Sequence, residues 1–398
     1  MATKDRIQGK SPARAGLVAG QLALTLVLLA TAGLMIKSLW RLEDTDPGFD
    51  LERVAVVRLD LPPQALEGAR AETVYDEMLR EAHAIPGVSR AALASDVPLS
   101  GSRSRTTFAV EDALANRQER RPEADLYRVT PGYFETLGLR VVAGRTFDQR
   151  DRADTRSVAV IDETFARRYW PGESPVGRRL WRDTPEGLLE AEIVGIVSGA
   201  RGRLHERPSA TLYWPLAKSP TTAVRLVART EGDPQALLPS LSRGLAAEEA
   251  LVTEATTLER QMLDWLEARR FLVRLLFGFS LAATALAVLG VYGVTTYAVG
   301  RRTHEIGIRL ALGAKRADVL GLFLKDASRL TAIGLAVGLV VTLGSTRFIG
   351  SLLAGLSPLD PPILLGSCLG LVLVSLAATL LAARRATKVQ PGVSLRTL

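Results

Sequence analysis

Residues 275–299 read LLFGFSLAATALAVLGVYGVTTYAV, a stretch of 25 residues without one charged side chain. At about 1.5 Å per residue, a helix of this length can cross the hydrocarbon core of a bilayer, which is about 30 Å thick. Three further uncharged apolar stretches occur at residues 15–36, 330–346 and 362–383. The sequence therefore predicts an integral membrane protein with four transmembrane helices.

The first apolar stretch also resembles a secretory signal peptide. Four basic residues precede it, and Ala30-Thr31-Ala32 has the small-residue pattern of a cleavage site. The apolar residues nevertheless continue past Ala32 to Ile36. We therefore interpret residues 15–36 as a membrane anchor.

Basic residues are distributed unevenly between the segments that join the apolar stretches. Residues 300–329 carry seven lysines and arginines, whereas residues 347–361 carry one. Because lysine and arginine are enriched in cytoplasmic loops, residues 300–329 are predicted to be cytoplasmic, together with residues 1–14 and 384–398. Residues 42–265 and the loop at 347–361 are then external.

The external segment has the pattern of an α+β domain. Residues 53–94 read as strand, helix and strand, and residues 223–257 repeat that order. Two such βαβ units can complete one ferredoxin-like sheet. Residues 100–215 then form a mainly β inserted subdomain. The predicted fold class is a four-helix membrane protein with an α+β extracytoplasmic domain.

Two shorter predictions complete this domain. The insertion has strand patterns at residues 157–161 and 191–197. At the end of the domain, residues 257–270 have one apolar helical face and continue directly into the second apolar stretch. We therefore expect residues 271–299 to form the end of a helical stalk and the second transmembrane helix.

The titratable residues give no support for an enzyme. The three histidines, His83, His205 and His304, fall in different segments, and the single cysteine, Cys368, lies in an apolar stretch. Catalytic and metal sites need clustered side chains of these kinds, so we predict no catalytic residue, metal or cofactor. The net charge is +8, but the sequence contains no nucleic-acid-binding motif, so we do not predict nucleic-acid binding. Gly9-Lys10-Ser11 has no glycine five positions earlier and no preceding strand, so it is not a phosphate loop.

Three pairs of glycines have the spacing that lets helices approach closely in lipid. They are Gly16-x-x-x-Gly20, Gly334-x-x-x-Gly338 and Gly366-x-x-x-Gly370. Packing within the chain is the simplest interpretation of this pattern. The apolar stretches carry no acidic residue or histidine, so ion-coupled transport has little support.

The cytoplasmic segment contains THEIGIRLALGA at residues 303–314. Glu305 and Arg309 are spaced as an i, i+4 ion pair, and Gly313 can end a helix in the left-handed conformation. We therefore predict a short helix, although the alternating isoleucines and leucines would also suit a strand. Because Ile306 and Ile308 lie between charges, either a partner or the lipid interface is expected to cover them.

This stretch resembles the "REIGIRRALGA" signature of MacB/FtsX-type ABC transporter permeases. His304 stands where arginine is usual, and Leu310 stands where a second arginine is common. The resemblance extends over nearly the whole chain, through motifs that individually are weak. They are Asp46-Pro47-Gly48-Phe49-Asp50, Tyr133-Phe134, Leu137-Gly138 and Ala383-Arg384-Arg385-Ala386 with Pro391.

The resemblance implies a multi-pass permease of the bacterial inner membrane with a periplasmic core domain and a dimeric assembly. It also implies a separate ATP-binding cassette ATPase that contacts the helix between the second and third transmembrane helices. Ile306 and Ile308 are expected to anchor that contact, while Glu305 and Arg309 set its orientation. The expected coupling residues are Glu305, Ile306, Gly307, Ile308, Arg309, Leu310 and Gly313.

Two functions are compatible with this resemblance. In the first, ATP hydrolysis by the partner moves the periplasmic domain and drives efflux or extrusion of a periplasmic substrate. In the second, the same movement activates an external partner, such as a cell-wall hydrolase, without transport. The short N-terminus resembles the second half of duplicated permeases, so the second permease unit is expected to be another half or a second copy. A periplasmic adaptor is a further possible partner.

Overall fold

The computed structural model describes most of the chain, and its contacts divide the chain into two compact units. The first unit contains Met1–Glu43 and Ala268–Leu398, and the second contains Asp44–Glu267. The predicted helix end at Gly313 and most of the loop at 347–361 lie outside the described residues. Those described are residues 12–44, 46–66, 70–111, 121–152, 154–185, 187–200, 202, 209–246, 250–311, 316–349 and 360–386.

The long helices lie mainly in the first unit, and most of the short helices lie in the second. The described α-helices, in chain order, are α1 (Pro12–Glu43), α2 (Arg70–Ala84), α3 (Tyr133–Thr136), α4 (Glu163–Tyr169), α5 (Pro234–Leu245), α6 (Leu258–Arg301), α7 (Thr303–Ala311), α8 (Arg316–Ile349) and α9 (Pro361–Ala386).

Four of these helices are long and apolar enough to cross a membrane, which confirms the four predicted spans. Within the described residues, the candidate spans are Arg14–Glu43, Leu258–Arg301, Ala317–Gly344 and Pro361–Arg384. Helix α1 continues through Ala32 without a break, and α6 is likewise one uninterrupted helix. The third span is longer than its uncharged stretch because the amphipathic residues before it join the same helix.

Glycines allow α8 to lie directly against α1. A Cβ atom placed on Gly334 would stand 2.7 Å from the Cβ of Leu22 and 3.0 Å from the carbonyl oxygen of Ala19. One placed on Gly338 would stand 3.0 Å from the carbonyl oxygen of Ala23. Small residues at such positions let helix backbones approach closely in lipid. Packing within the chain is therefore confirmed for this glycine pair.

The other two glycine pairs have no such neighbour. A Cβ atom on Gly16, Gly20, Gly366 or Gly370 would meet nothing within 4 Å among the described residues.

Two ion pairs join helices at the C-terminal end of α1. Lys37 pairs with Asp360, which stands immediately before α9, and Glu43 pairs with Arg270 of α6 at 2.7 Å. Close packing accompanies the first pair, because a Cβ atom on Gly33 would stand 2.8 Å from the side chain of Ile363. These contacts connect α1 to α9 and α6 at one end of the membrane unit.

The second unit is built on a sheet of eleven strands. Its strands are β1 (Val54–Asp60), β2 (Val88–Ala94), β3 (Arg105–Val110), β4 (Glu123–Val129), β5 (Val141–Gly144), β6 (Val158–Asp162), β7 (Arg179–Thr184), β8 (Gly187–Val197), β9 (Thr211–Pro215), β10 (Ala223–Thr230) and β11 (Leu251–Thr257). Their order is β11-β1-β10-β2-β4-β3-β7-β8-β6-β9, and β5 pairs with β8 at the side of this path.

The first and last segments of the unit share one antiparallel part of the sheet. Strand β1 lies between β10 and β11, and β10 also pairs with β2. Helices α2 and α5 bury apolar side chains on these strands, for example Met78 and Leu241. Asp233 caps α5 by accepting a hydrogen bond from the backbone N–H of Gln235 at 2.9 Å.

The inserted segment has its own core but continues the same sheet. Its core contains Phe108, Phe165 and Trp214, which are buried apart from the cluster beneath α2 and α5. The sheet passes into the insertion through one residue pair, Ala94 of β2 with Val129 of β4. The insertion is therefore joined to the first strands by backbone hydrogen bonds rather than standing as an isolated lobe.

Two of the quoted family motifs meet in this unit. The backbone N–H of Asp50 donates to the carbonyl oxygen of Leu137 at 2.8 Å. Gly138 has φ +71°, and a Cβ atom there would stand 2.5 Å from the Asp50 carboxylate. Arg229 of β10 forms an ion pair with Asp50 at 3.0 Å and donates a hydrogen bond to the carbonyl oxygen of Thr136, immediately before Leu137, at 2.7 Å.

Candidate coupling surface

Helix α7 follows α6 after a single intervening residue, Arg302. The hydroxyl of Thr303 donates to the carbonyl oxygen of Gly300 at 2.9 Å, and the backbone N–H of Arg302 donates to that of Val299 at 3.0 Å. These bonds use carbonyl groups that would otherwise be unpaired at the end of α6. The predicted short helix is thus present at the predicted position, directly against the membrane helix before it.

The two isoleucines of α7 point in different directions. Ile306 packs against a cluster of Val299, Val319, Phe323 and Ala383, which we call the inner cluster. Ile308 is 49% exposed. Residues two apart on a helix are separated by about 200°, so they cannot both belong to one contact face. Ile306 is therefore partly buried within the membrane unit, and Ile308 is the more exposed of the two isoleucines.

Charged residues surround the exposed side of α7. Glu305 and Arg309 form the expected i, i+4 pair at 2.7 Å, with both side chains half exposed. Such exposed pairs contribute only about 0 to 1 kcal/mol of stability. Gly307 and Leu310 lie in the same helix. The exposed Glu305–Arg309 pair therefore adds little to the stability of α7.

The opposite side of α7 is fixed to the membrane helices. Arg302 pairs with Asp326 of α8 at 3.7 Å, and Val319 and Phe323 of α8 pack beneath Ile306. The sequence does not show that Val319 and Phe323 pack against Ile306. A periodic pattern identifies an apolar face without identifying the side chain that packs on it.

A cleft of about 380 Å³ lies in the second unit beside α2. Two carboxylates of its lining are in ion pairs, because Glu72 lies 3.8 Å from Arg152 and Asp151 binds Arg145 at 2.7 Å. Hydrogen bonds from Arg150 lower the pKa of Asp148 to about 2. Asp148 is therefore an ion-pair partner that remains ionised at neutral pH.

Asp162 is the most perturbed carboxyl group of the second unit. Burial raises its pKa to about 6, although its carboxylate accepts hydrogen bonds from the backbone N–H groups of Phe165 at 2.8 Å and Thr211 at 3.0 Å. The first bond caps α4, and the second joins that cap to β9. This geometry gives Asp162 a structural role at the junction of helix and sheet.

A buried ion pair joins the loop after β2 to β10. Arg225 binds Asp96 at 2.6 Å, and both side chains are less than 10% exposed. Asp96 also accepts hydrogen bonds from Ser100 at 2.5 Å and from the backbone N–H of Val97 at 2.8 Å. Several donors therefore compensate the buried carboxylate, as such a group requires. Across the part of the chain that the structure describes, no group of three or more histidine, cysteine or acidic side chains could hold a metal ion.

Profiles of two protein families match the chain in series. The MacB-like periplasmic core domain matches residues 15–243, and the FtsX-like permease C-terminal domain matches residues 277–391. Residues 244–276, between the two matches, include the start of the second membrane helix. Together they cover both units.

Individual relatives agree with these matches. The macrolide export ATP-binding/permease protein MacB of Acinetobacter baylyi is 26% identical over 251 residues, which are 60% of this chain and 37% of the relative. The protein of the same name from Neisseria gonorrhoeae is 27% identical over 261 residues, which are 62% of this chain and 38% of the relative. The crystal structure of the periplasmic region of MacB from Actinobacillus actinomycetemcomitans covers 54% of this chain and 94% of its own, at 13% identity and a TM-score of 0.37.

Four apolar helices and a periplasmic-type domain define an integral membrane protein with an extracellular domain. The chain belongs to the family of MacB/FtsX-type ABC transporter permeases, as its signature motifs predict. It spans less than two fifths of the length of the two curated relatives above.

Proposed function

We propose that this chain is a permease subunit that a separate ATP-binding cassette ATPase drives through helix α7. Hydrolysis in the partner moves the external domain and so expels a periplasmic substrate across or away from the bacterial inner membrane. The observation that carries the proposal is the two-sided nature of α7. One side, with Ile306, is packed on the inner cluster, while Ile308 is exposed between charged residues.

This arrangement suits the transmission of force. A docking helix must present a surface to its partner and be attached to the elements that it moves. The contacts of Ile306 with α8 and the Arg302–Asp326 pair supply the attachment. Exposed apolar side chains near the centre of a small interface supply most of its binding energy, which makes Ile308 the expected anchor.

The remaining parts of the proposal follow from charge and topology. The basic segment around α7 supports a cytoplasmic location, and residues 44–267 then lie in the periplasm. The antiparallel order β11-β1-β10-β2, with a helix inside each βαβ segment, supports a ferredoxin-like interpretation of the first and last segments. A second permease unit, either another half or a second copy, completes the assembly, and a periplasmic adaptor is a further expected partner.

The test is a pull-down that measures how much of a candidate ATPase is recovered with the purified chain. Ile308→Asp is expected to reduce recovery at least tenfold, because it places a charge at the centre of the proposed interface. Ile308→Val retains an apolar side chain and is expected to bind normally. Exchange of Glu305 and Arg309 preserves their pair and is expected to change recovery by less than about fivefold.

Ile306→Ala separates docking from stability. Because Ile306 packs on the inner cluster, its truncation is expected to lower thermal stability. Recovery of the ATPase on Ile308→Asp at the level of the unmodified chain would refute the docking assignment. The unmodified chain can also bind the ATPase and co-purify with a cell-wall hydrolase rather than with a small cargo. In that case the movement of the external domain serves signalling instead of extrusion.

A further inference from the structure

Two arginines from different helices lie over one aromatic ring at the end of the membrane unit that carries α7. The guanidinium carbon of Arg14 in α1 is 4.7 Å from the centroid of the Tyr297 ring in α6. That of Arg301, also in α6, is 6.0 Å from the same centroid. We call these three residues the arginine–tyrosine cluster.

The charges of this cluster are complementary to a phosphate group. Two guanidinium groups near one ring attract an anion that lies beside them. Guanidinium groups also match phosphate oxygens through paired hydrogen bonds. The Tyr297 ring orients both side chains through cation–π contacts and is itself 49% exposed. The cluster is therefore accessible to an anionic ligand.

The surroundings favour a lipid over a free anion. Leu17 and Leu24 are exposed on α1 and lie seven residues apart, so they share one side of the helix. On α6, Leu286 is exposed and lies three turns from Tyr297 on the same side. The cationic cluster thus stands at the end of apolar surfaces that run along both helices. A phosphate group with attached acyl chains has the same arrangement of charge and apolar surface.

We propose that the arginine–tyrosine cluster binds the phosphate of an anionic phospholipid, whose acyl chains lie along the exposed leucines of α1 and α6. Basic side chains at the cytoplasmic border of a membrane attract anionic lipids, and tyrosine is enriched at that border. Because the lipid would contact both helices beside the start of α7, it would hold the end of α1 against α6 where the coupling segment begins.

Competition between lipids tests this proposal on the full-length chain. The purified protein in neutral detergent is incubated with equal amounts of phosphatidylglycerol and phosphatidylcholine of the same acyl composition, and native mass spectrometry measures the ratio of bound lipids. The unmodified chain is expected to favour phosphatidylglycerol. Arg14→Gln and Arg301→Gln are each expected to reduce that preference about fivefold, since one basic side chain near a membrane surface contributes about 1 kcal/mol.

A neighbouring arginine provides the matched control. Arg302 is adjacent in sequence but pairs with Asp326, so Arg302→Gln removes the same charge outside the cluster. It is expected to leave the lipid ratio within twofold. Arg14→Lys with Arg301→Lys retains the charges and is expected to keep a preference for phosphatidylglycerol, which serves if the glutamine variants do not fold.

Three results would overturn the proposal. Equal binding of the two lipids by the unmodified chain would exclude an anionic lipid site. An equal loss in Arg302→Gln and Arg14→Gln would assign the preference to general surface charge. Displacement of bound phosphatidylglycerol by millimolar inorganic phosphate would identify a site for free anions rather than for lipid. The lipid proposal is supported if phosphatidylglycerol stays bound in the presence of phosphate and is lost only in the cluster variants.

Discussion

Replacement of Gly334 by alanine should separate α8 from α1, because a Cβ atom at this position has no room. The added atom would stand 2.7 Å from the Cβ of Leu22, whereas carbon atoms in contact normally lie about 3.5 to 4.0 Å apart. Since the Cβ of Leu22 is fixed to its backbone, rotation of a side chain cannot relieve the clash. A helix backbone must move instead, and such overpacking costs about 1 to 3 kcal/mol.

Gly344 provides the matched control on the same helix. A Cβ atom there meets nothing within 4 Å among the described residues, so Gly344→Ala carries the same change in helix propensity without the clash. The difference in stability between Gly334→Ala and Gly344→Ala therefore isolates the steric effect. We expect this difference to be about 1 to 3 kcal/mol, with Gly334→Ala the less stable variant.

The single cysteine of the chain reports the opening of this bundle. Cys368 of α9 is partly buried against the cluster that contains Leu22 and Leu26 of α1. Its rate of reaction with a membrane-permeable maleimide follows the population of open states. Gly334→Ala should react about 5 to 150 times faster than Gly344→Ala, as a difference of 1 to 3 kcal/mol implies. Equal rates would refute the direct packing of α8 on α1.

Three further predictions concern the external unit and the topology. Because burial raises the pKa of Asp162 to about 6 from 3.8, the folded state holds its proton more tightly, and stability is lost as the pH rises through 6. Asp162→Asn should remove this loss of roughly 3 kcal/mol between pH 4 and pH 7, measured by thermal unfolding of the external unit within the full chain. Arg225→Met should cost about 3 to 5 kcal/mol by leaving Asp96 buried without its partner, and the double variant with Asp96→Asn should be the more stable of the two. With Cys368 replaced by alanine, an impermeant thiol reagent added to intact cells should label Arg150→Cys but not Ala317→Cys. Equal labelling of the two positions would contradict an external second unit and a cytoplasmic start of α8.

The membrane helices could be predicted from the sequence because length and the absence of charge are sufficient signals. The stretch at residues 275–299 needs no tertiary context to identify it as a span. The bounds of α8 were less accessible. Charged residues such as Lys325 and Asp326 lie inside this helix, so an uncharged stretch alone underestimates its length.

The sheet was only partly predictable. Strands of the first and last segments follow apolar alternation, and the structure places them side by side. In the insertion, β7, the short β5 and the first half of β8 were not predicted. Their residues include charges that pair across strands, such as Arg179 with Glu190 at 3.2 Å. Charged residues of this kind interrupt the apolar alternation that identifies a strand. Their pairing across strands can be recognised only when the strand register is known.

Helix α7 shows a different limit of prediction from the sequence. Its residues and its position were evident from the signature, and both isoleucines were expected to anchor the partner. Helical geometry alone separates Ile306 from Ile308, whereas the choice of which one faces inward depends on Val319 and Phe323 of the next helix. Tertiary packing therefore decided which side chain remained available for a partner.

The most direct test of the coupling proposal is site-specific photocrosslinking from α7 in living cells. A photoreactive amino acid at position 308 is expected to crosslink to an ATP-binding cassette ATPase, because Ile308 is an exposed apolar residue of the helix. The same amino acid at position 306 should give far less of that product, since Ile306 packs on the inner cluster. Crosslinking from position 308 to lipid alone, without any ATPase product, would contradict the proposal that this helix couples the permease to its motor.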